Sequence, residues 1–227
     1  MDSLGERIGL PQFPYRWRVA RARLREAEGN LAGAVGLLEE AELVYVGDYS
    51  PNVRPVAAQR ARVLVAQGRI DEALDWARAQ HLAPDDELAY VREYEHVTLA
   101  RILMHQPDAS GTALRTARGL LDRLRVAAEE GGRFGTLIEI LTLQALAHHA
   151  KHGQHDVLGP LAPLVRALRL AEPEGYVRVF VGEGAPDGRT AGGTRPPGSV
   201  VALPRGVWWR GPAAHRPDRW TRVSSTR

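Results

Sequence analysis

The chain has no cysteine, which excludes a disulfide framework, a thiol nucleophile and any thiolate metal site. Lysine is almost as scarce: Lys151 stands alone, and the remaining basic charge is arginine, a bias typical of GC-rich coding DNA. No apolar run approaches the roughly 20 residues a membrane span requires, and Met1 to Gly9 lacks the apolar stretch of a signal peptide. The expectation is therefore a cytoplasmic protein with no membrane partner. A Gly-x-x-x-x-Gly-Lys-Ser/Thr phosphate loop, a Gly-x-Ser-x-Gly elbow and a dinucleotide-binding glycine motif are all missing. Without them there is no expectation of an enzyme or of a cofactor. A formal net charge of +3 over 227 residues is too small to indicate nucleic-acid binding.

What the chain does have is helical punctuation. In Gly68-Arg69-Ile70-Asp71-Glu72-Ala73-Leu74 the glycine closes one helix by taking the left-handed conformation that costs it nothing. Asp71 and Glu72 open the next helix, where acidic side chains suit the helix dipole. Ile70, Leu74 and Ala77 share a face, and Ala73 is small where another helix must approach. The stretch resembles a tetratricopeptide (TPR) signature. One such hairpin cannot bury its own apolar stripe, so it has to recur. Gly29 supplies the recurrence: aligning it with Gly68 pairs Ala22 with Ala61, Arg23 with Arg62 and Ala34 with Ala73, a period of 39 residues. Ala100-Arg101-Ile102-Leu103 then falls 39 residues after Ala61-Arg62-Val63-Leu64.

Taken in order, residues 1–13 read as an irregular lead and 14–181 as an all-α, right-handed solenoid of about four helix pairs. The first helix is expected from Tyr15 to Glu28, with Trp17, Ala20, Leu24 and Ala27 on one face. Its partner covers about 31–46, and the second pair is split by the Gly68 turn. The third pair is expected as a long helix from Leu88 to His105 followed by one over about 111–129, with Ala113, Ala117, Leu120, Leu121 and Leu124 inward. The fourth runs from Thr136 to Lys151 and over about 160–171, its start shortened by Pro160 and Pro163 and its face carrying Leu161, Leu164, Val165 and Leu168. Tyr176 to Val181 fits a strand or the opening of a fifth pair. From Gly182 to Arg227 helical periodicity gives way to a Gly-, Pro- and Arg-rich composition that buries too little surface to offset its ordering entropy, and a low-order tail is expected.

Four stretches carry a resemblance to a known group: Arg21–Leu31, Gly68–Leu74, Ile138–Ala147 and Leu170–Val181. Together they resemble the C-terminal TPR-like sensor region of large LuxR-type bacterial transcriptional regulators, the group that includes the maltose-system activator. The resemblance covers about residues 1–186. It implies helical repeats that sense an inducer or partner protein, placed between an ATP-binding module and a helix-turn-helix, with self-association as part of the switch. Neither a phosphate loop nor a helix-turn-helix is recognisable in this chain, so ATP binding and direct DNA binding are not carried over. Residues 182–227 are expected to be a frameshift-derived reading that leaves a regulator fragment.

Three sets of residues are candidates for chemistry. Tyr90, Tyr94 and Arg101 lie on the leading helix of the third pair, where such arrays line their concave side, and either contact an inducer or peptide or pack neighbouring repeats together. His148, His149, His152 and His155 have metal-like spacing with Asp156 nearby, but Gly153 should end their helix and no His-Glu-x-x-His arrangement is present; a solvated helix end is preferred and no metal is assigned. Arg16, Arg18, Arg21, Arg23 and Arg25 point around the first helix in several directions, as a solvated face does. The leading functional expectation is a sensing and protein-interaction segment of a transcriptional regulator. The alternatives are a free-standing scaffold for a partner peptide and a basic DNA-binding protein.

Overall fold

The computed structural model describes residues 10–47, 50–152, 158–173, 175–176 and 179–180. Eight α-helices account for the described chain: α1 (Phe13–Ala27), α2 (Leu31–Leu43), α3 (Val56–Ala66), α4 (Ile70–Ala79), α5 (Glu93–His105), α6 (Thr112–Glu130), α7 (Phe134–His152) and α8 (Leu158–Ala171). A single 3₁₀ turn, Tyr90–Arg92, precedes α5, and no strand occurs among the described residues. The tail from Gly182 onward, and the question of strand or helix across Tyr176 to Val181, lie outside the described residues except for Tyr176, Val179 and Phe180.

The turns repeat one hydrogen-bonding solution. A helix leaves its last carbonyls unpaired, and a left-handed residue just past the end lets the following N–H reach back to one of them. At the first two hairpins the left-handed residues are Gly29 (φ +77°) and Gly68 (φ +76°), with Asn30 N–H donating to Arg25 O at 2.8 Å and Arg69 N–H to Leu64 O at 2.9 Å. The same bond recurs from Leu82 to Ala77, Arg133 to Ala128 and Tyr176 to Ala171. At the first of these the left-handed residue is His81 (φ 50°), a conformation that sequence reasoning did not assign to a histidine. Asn30 then caps α2 by accepting from Gly33 N–H at 2.9 Å, whereas Arg69 has no capping side chain and instead grips Glu72.

Packing follows chain order. Within each pair α1 lies on α2, α3 on α4, α5 on α6 and α7 on α8; between pairs α2 meets α3, α4 meets α5 and α6 meets α7. First helices also reach their next counterparts, α3 touching α5 and α5 touching α7. The first helices therefore form the inner, more tightly spaced side of the array. Small residues permit this closeness: Ala22, Ala61 and Ala100, at one repeat position, are at most 2% exposed, and Ala34 and Ala73 are fully buried. The core is continuous through the array and densest around α6 and α7, at Leu120, Leu121, Leu124, Ile138 and Ile140.

Several expectations are corrected. The first helix starts at Phe13 because Pro14, having no N–H to lose, is tolerated in its first turn. Trp17, Ala20, Leu24 and Ala27 do share a face, but it is the outward one: Leu24 is 63% exposed, while Tyr15, Val19 and Ala22 pack inward. Val63 and Ile102, at the position of Leu24 in the next two pairs, are buried; their helices have a preceding second helix against them, and α1 has none among the described residues. The long helix expected from Leu88 is broken, because Glu87–Ala89 are irregular and Tyr90–Arg92 form the 3₁₀ turn. Arg123 from α6 donates to Pro84 O (2.6 Å) and Asp86 O, fastening the expected linker just ahead of it by pairing carbonyls that no helix satisfies. The eighth helix is not shortened by its prolines: it begins at Leu158 with Pro163 inside it. Its packed face is Ala167 and Ala171, leaving Leu161, Val165 and Leu168 about 40% exposed.

Candidate interaction surface on the inner face

The inner helices bring four side chains to one place. Arg62 comes from α3, Tyr94 and Arg101 from α5, and Glu139 from α7, three consecutive first helices. Arg23, Arg62 and Arg101 recur at intervals of 39 residues, and Glu139 follows 38 residues after Arg101, so one face position reads Arg, Arg, Arg, Glu along the array. Arg62 places its Nη1 2.7 Å from Glu139 Oε1, while Arg101 donates to the same oxygen through Nη2 at 2.9 Å and Nε at 3.2 Å. The three side chains are only 15–17% exposed.

Arg62 is held by more than its charge. Its Nε donates to Thr98 Oγ1 at 2.8 Å; the Thr98 hydroxyl proton is already committed to Tyr94 O, also at 2.8 Å, leaving a lone pair to accept. The guanidinium lies 3.6 Å from the centroid of the Tyr94 ring, within cation–π range. Arg54, in the loop before α3, approaches the same ring at 5.6 Å. Burial would raise the pKa of Glu139, but the Arg62 and Arg101 charges, the Arg101 hydrogen bond and the more distant Arg54 charge prevail and lower it from 4.5 to about 2. The carboxylate is thus ionised at neutral pH and binds the second, third and fourth pairs together. Nothing here is arranged as a nucleophile with a base. The cluster can position charge and aromatic surface for a ligand.

Of the three contacts expected from the sequence, Tyr94 and Arg101 belong to this cluster and Tyr90 does not. Tyr90 sits in the 3₁₀ turn, 57% exposed, and its ring lies 5.6 Å from Arg133, which is paired with the buried Glu93 at 2.8 Å. Arg62 and Glu139 were missed as site residues. Their signals were present: an arginine recurring at the repeat period, and a lone carboxylate inside the apolar run Leu137-Ile138-Glu139-Ile140-Leu141.

Apart from Arg23, which shares the repeat position of Arg62, the other candidates stand away from this cluster. In α1, Arg16 donates to the Tyr15 hydroxyl, Arg18 pairs with Glu40 and Arg25 with Glu28, Arg21 lies over Trp17 and Arg23 donates to Gln59, so the five arginines have divergent commitments. His148 and His149 are half-buried, whereas the side chain of His152 and all of His155 and Asp156 lie outside the described residues. No group of three histidine or acidic ligands suited to a metal occurs among the described residues. Nor is any described helix long and apolar enough to cross a membrane.

Paired helices stacking on their neighbours, with a charged and aromatic inner face, define a TPR-like helical repeat array. The family description "MalT-like TPR region" matches residues 3–186, and the chain belongs to that family. As such it is a sensing and protein-interaction segment of a regulator family. No curated protein and no solved structure matches the chain.

Proposed function

We propose that this chain is the signal-sensing segment of a LuxR-type bacterial transcriptional regulator, acting in the cytoplasm by holding an inducer or partner protein on its inner face. The supporting observation is the Arg62–Tyr94–Arg101–Glu139 cluster, which joins three repeats through one buried carboxylate. A ligand that competes for either arginine changes how the second, third and fourth pairs are held together, and so converts occupancy into a change of array geometry. The segment has no catalytic role in this reading, and binds neither ATP nor DNA itself. Any self-association belongs to the regulator it serves.

The test is transcript profiling of a strain lacking the chain, complemented by the native protein or by the double variant Arg62→Ala/Arg101→Ala. A restricted set of transcripts should change on deletion and recover only with the native protein. If deletion leaves every transcript unaltered under all growth conditions tried, the regulatory role is wrong. A stable electrophoretic shift of promoter DNA by the purified chain would instead favour direct DNA binding.

A further inference from the structure

We infer that the edge of the array where α5 and α7 begin takes a proline-rich, basic segment of a partner protein, held on a row of exposed aromatic rings. This surface is separate from the Arg62–Glu139 cluster and does not rest on the reading of the inner face. The first observation is where the exposed rings sit. Tyr90 and Phe134 are each 57% exposed and Tyr176 is 42% exposed. Tyr90 lies in the turn before α5, Phe134 is the first residue of α7, and Tyr176 follows α8. Contacts tie the three together. The Arg133 guanidinium lies 5.6 Å from the Tyr90 ring centroid, Phe134 is its neighbour in the chain, and Tyr176 Oη stands 3.7 Å from where a Cβ on Gly135 would be.

The second observation is that this edge is held in place and continues into an apolar groove. Arg133 Nε donates to both oxygens of the buried Glu93, at 2.9 and 3.1 Å, and its Nη2 donates to Ala127 O at 2.6 Å. Tyr176 N–H donates to Ala171 O at 3.1 Å. The rings therefore stand on turns that are fixed before any ligand arrives, and groups already immobilised lose little entropy on binding. Beside them Leu88, Val126 and Ala127 line an open groove between the stretch ahead of α5 and α6. Val91 and Val126 are exposed as well. Exposed apolar surface gathered in this way marks an interaction site.

Spacing and charge select the occupant. The helices α5 and α7 touch directly, and packed helices lie about 8–10 Å apart, which sets the interval from Tyr90 to Phe134. A polyproline II helix has three residues per turn and rises 3.1 Å per residue, so it presents the same side every ~9 Å. Proline-rich segments dock on aromatic-lined grooves in this preformed conformation. The charges favour a cationic sequence. Glu87, next to Leu88 on one wall of the groove, and Glu130 on the other are exposed, and neither has a partner among the described residues. The arginines lining the groove are engaged, Arg125 with Glu129 and Arg123 with Pro84 O and Asp86 O. Single-stranded nucleic acid also stacks on aromatic rings but needs a positively charged groove along them, and here Arg133 is paired with Glu93.

The experiment uses the full chain and a fluorescein-labelled peptide of ten prolines followed by two arginines, read by anisotropy at about 150 mM salt. Saturable binding is expected, and a glycine–serine peptide of the same length and charge should not bind. Phe134→Ala, which truncates an exposed ring, should weaken binding about tenfold with the circular dichroism unchanged. Tyr90→Ala should do the same and supplies the comparison if Phe134→Ala disturbs the fold. Leu24→Ala, which truncates an exposed side chain on α1, should leave binding unaltered. Glu130→Gln should weaken the arginine-bearing peptide several-fold and leave unadorned decaproline unaffected. Equal binding by the native protein and both ring variants, or equal binding of the glycine–serine peptide, would overturn the inference. So would tighter binding of oligothymidylate, which would assign the rings to single-stranded nucleic acid. A dimer in sedimentation that Phe134→Ala dissolves would likewise overturn it, by assigning the edge to a second copy of the chain.

Discussion

Replacing Glu139 tests the physical account of the inner face most directly. In the folded chain its carboxylate titrates at about 2 rather than 4.5, burial being outweighed by Arg62 and Arg101. A tenfold change in proton affinity corresponds to about 1.4 kcal/mol, so ionisation of this group favours the folded state by on the order of 3 kcal/mol. The side chain is only 17% exposed, and solvent screening removes little of that figure. The sign follows from the folded pKa being depressed. The contribution is fully present above the unfolded value near 4.5 and is lost as pH falls toward 2.

Glu139→Gln keeps the shape and one acceptor but removes the charge, leaving Arg62 and Arg101 facing each other. It should cost about 2–4 kcal/mol at neutral pH, the range for breaking a partly buried ion pair by removing one partner. Urea unfolding of both proteins, followed by circular dichroism from pH 7 down to about pH 2.5, supplies the measurement. Other carboxylates titrate in the same window, Asp108 among them, and the difference between the two proteins cancels them. That difference should be constant at neutral pH and shrink steadily below about pH 4.5. A difference that is under about 0.5 kcal/mol at pH 7, or that does not shrink on acidification, would refute the reasoning.

The remaining expectations concern single elements. Gly68→Ala should cost about 1–2 kcal/mol in urea unfolding, wholly from the left-handed backbone, because a Cβ there meets no atom within 4 Å; Gly68→Asn should cost less. Asn30→Ala removes the bond from Gly33 N–H and should lose about 1 kcal/mol of stability, with Asn30→Ser retaining most of it. Leu124→Ala, at a fully buried core position, should destabilise by about 2–5 kcal/mol in the same assay. Asp108 accepts from the Ser110 hydroxyl and from the backbone N–H groups of Ala113 and Ser110, which lowers its pKa to about 2; its carboxyl carbon should titrate with that midpoint by NMR, and a midpoint near 3.8 would contradict the turn.

Helix existence was readable because two local signals agree at each hairpin. Gly29 and Gly68 mark stops that only a left-handed residue makes without strain, and Leu31, Leu38, Ile70 and Ala77 mark the stripe that follows. Where an irregular stretch and a 3₁₀ turn take the place of helical residues, at Glu87–Ala89 and Tyr90–Arg92, local reading started the third pair's first helix too early. Choice of face failed at the two ends for a different reason. Periodicity says which residues share a face, whereas burial depends on which neighbours are present, and among the described residues α1 and α8 each lack one on a side that internal helices have covered.

By itself the sequence determined an all-helical array, its period and its glycine turns, since these depend on residues close together in the chain. It also supplied Tyr94 and Arg101 as inner-face residues, because leading helices of such repeats turn that way. Only tertiary structure decided that Arg62 meets a carboxylate 77 residues away, that Tyr90 leaves the cluster for Arg133, and that Leu24 is outward. An ion pair between helices two pairs apart depends on the curvature accumulated over every packing contact between them. No local pattern records that curvature.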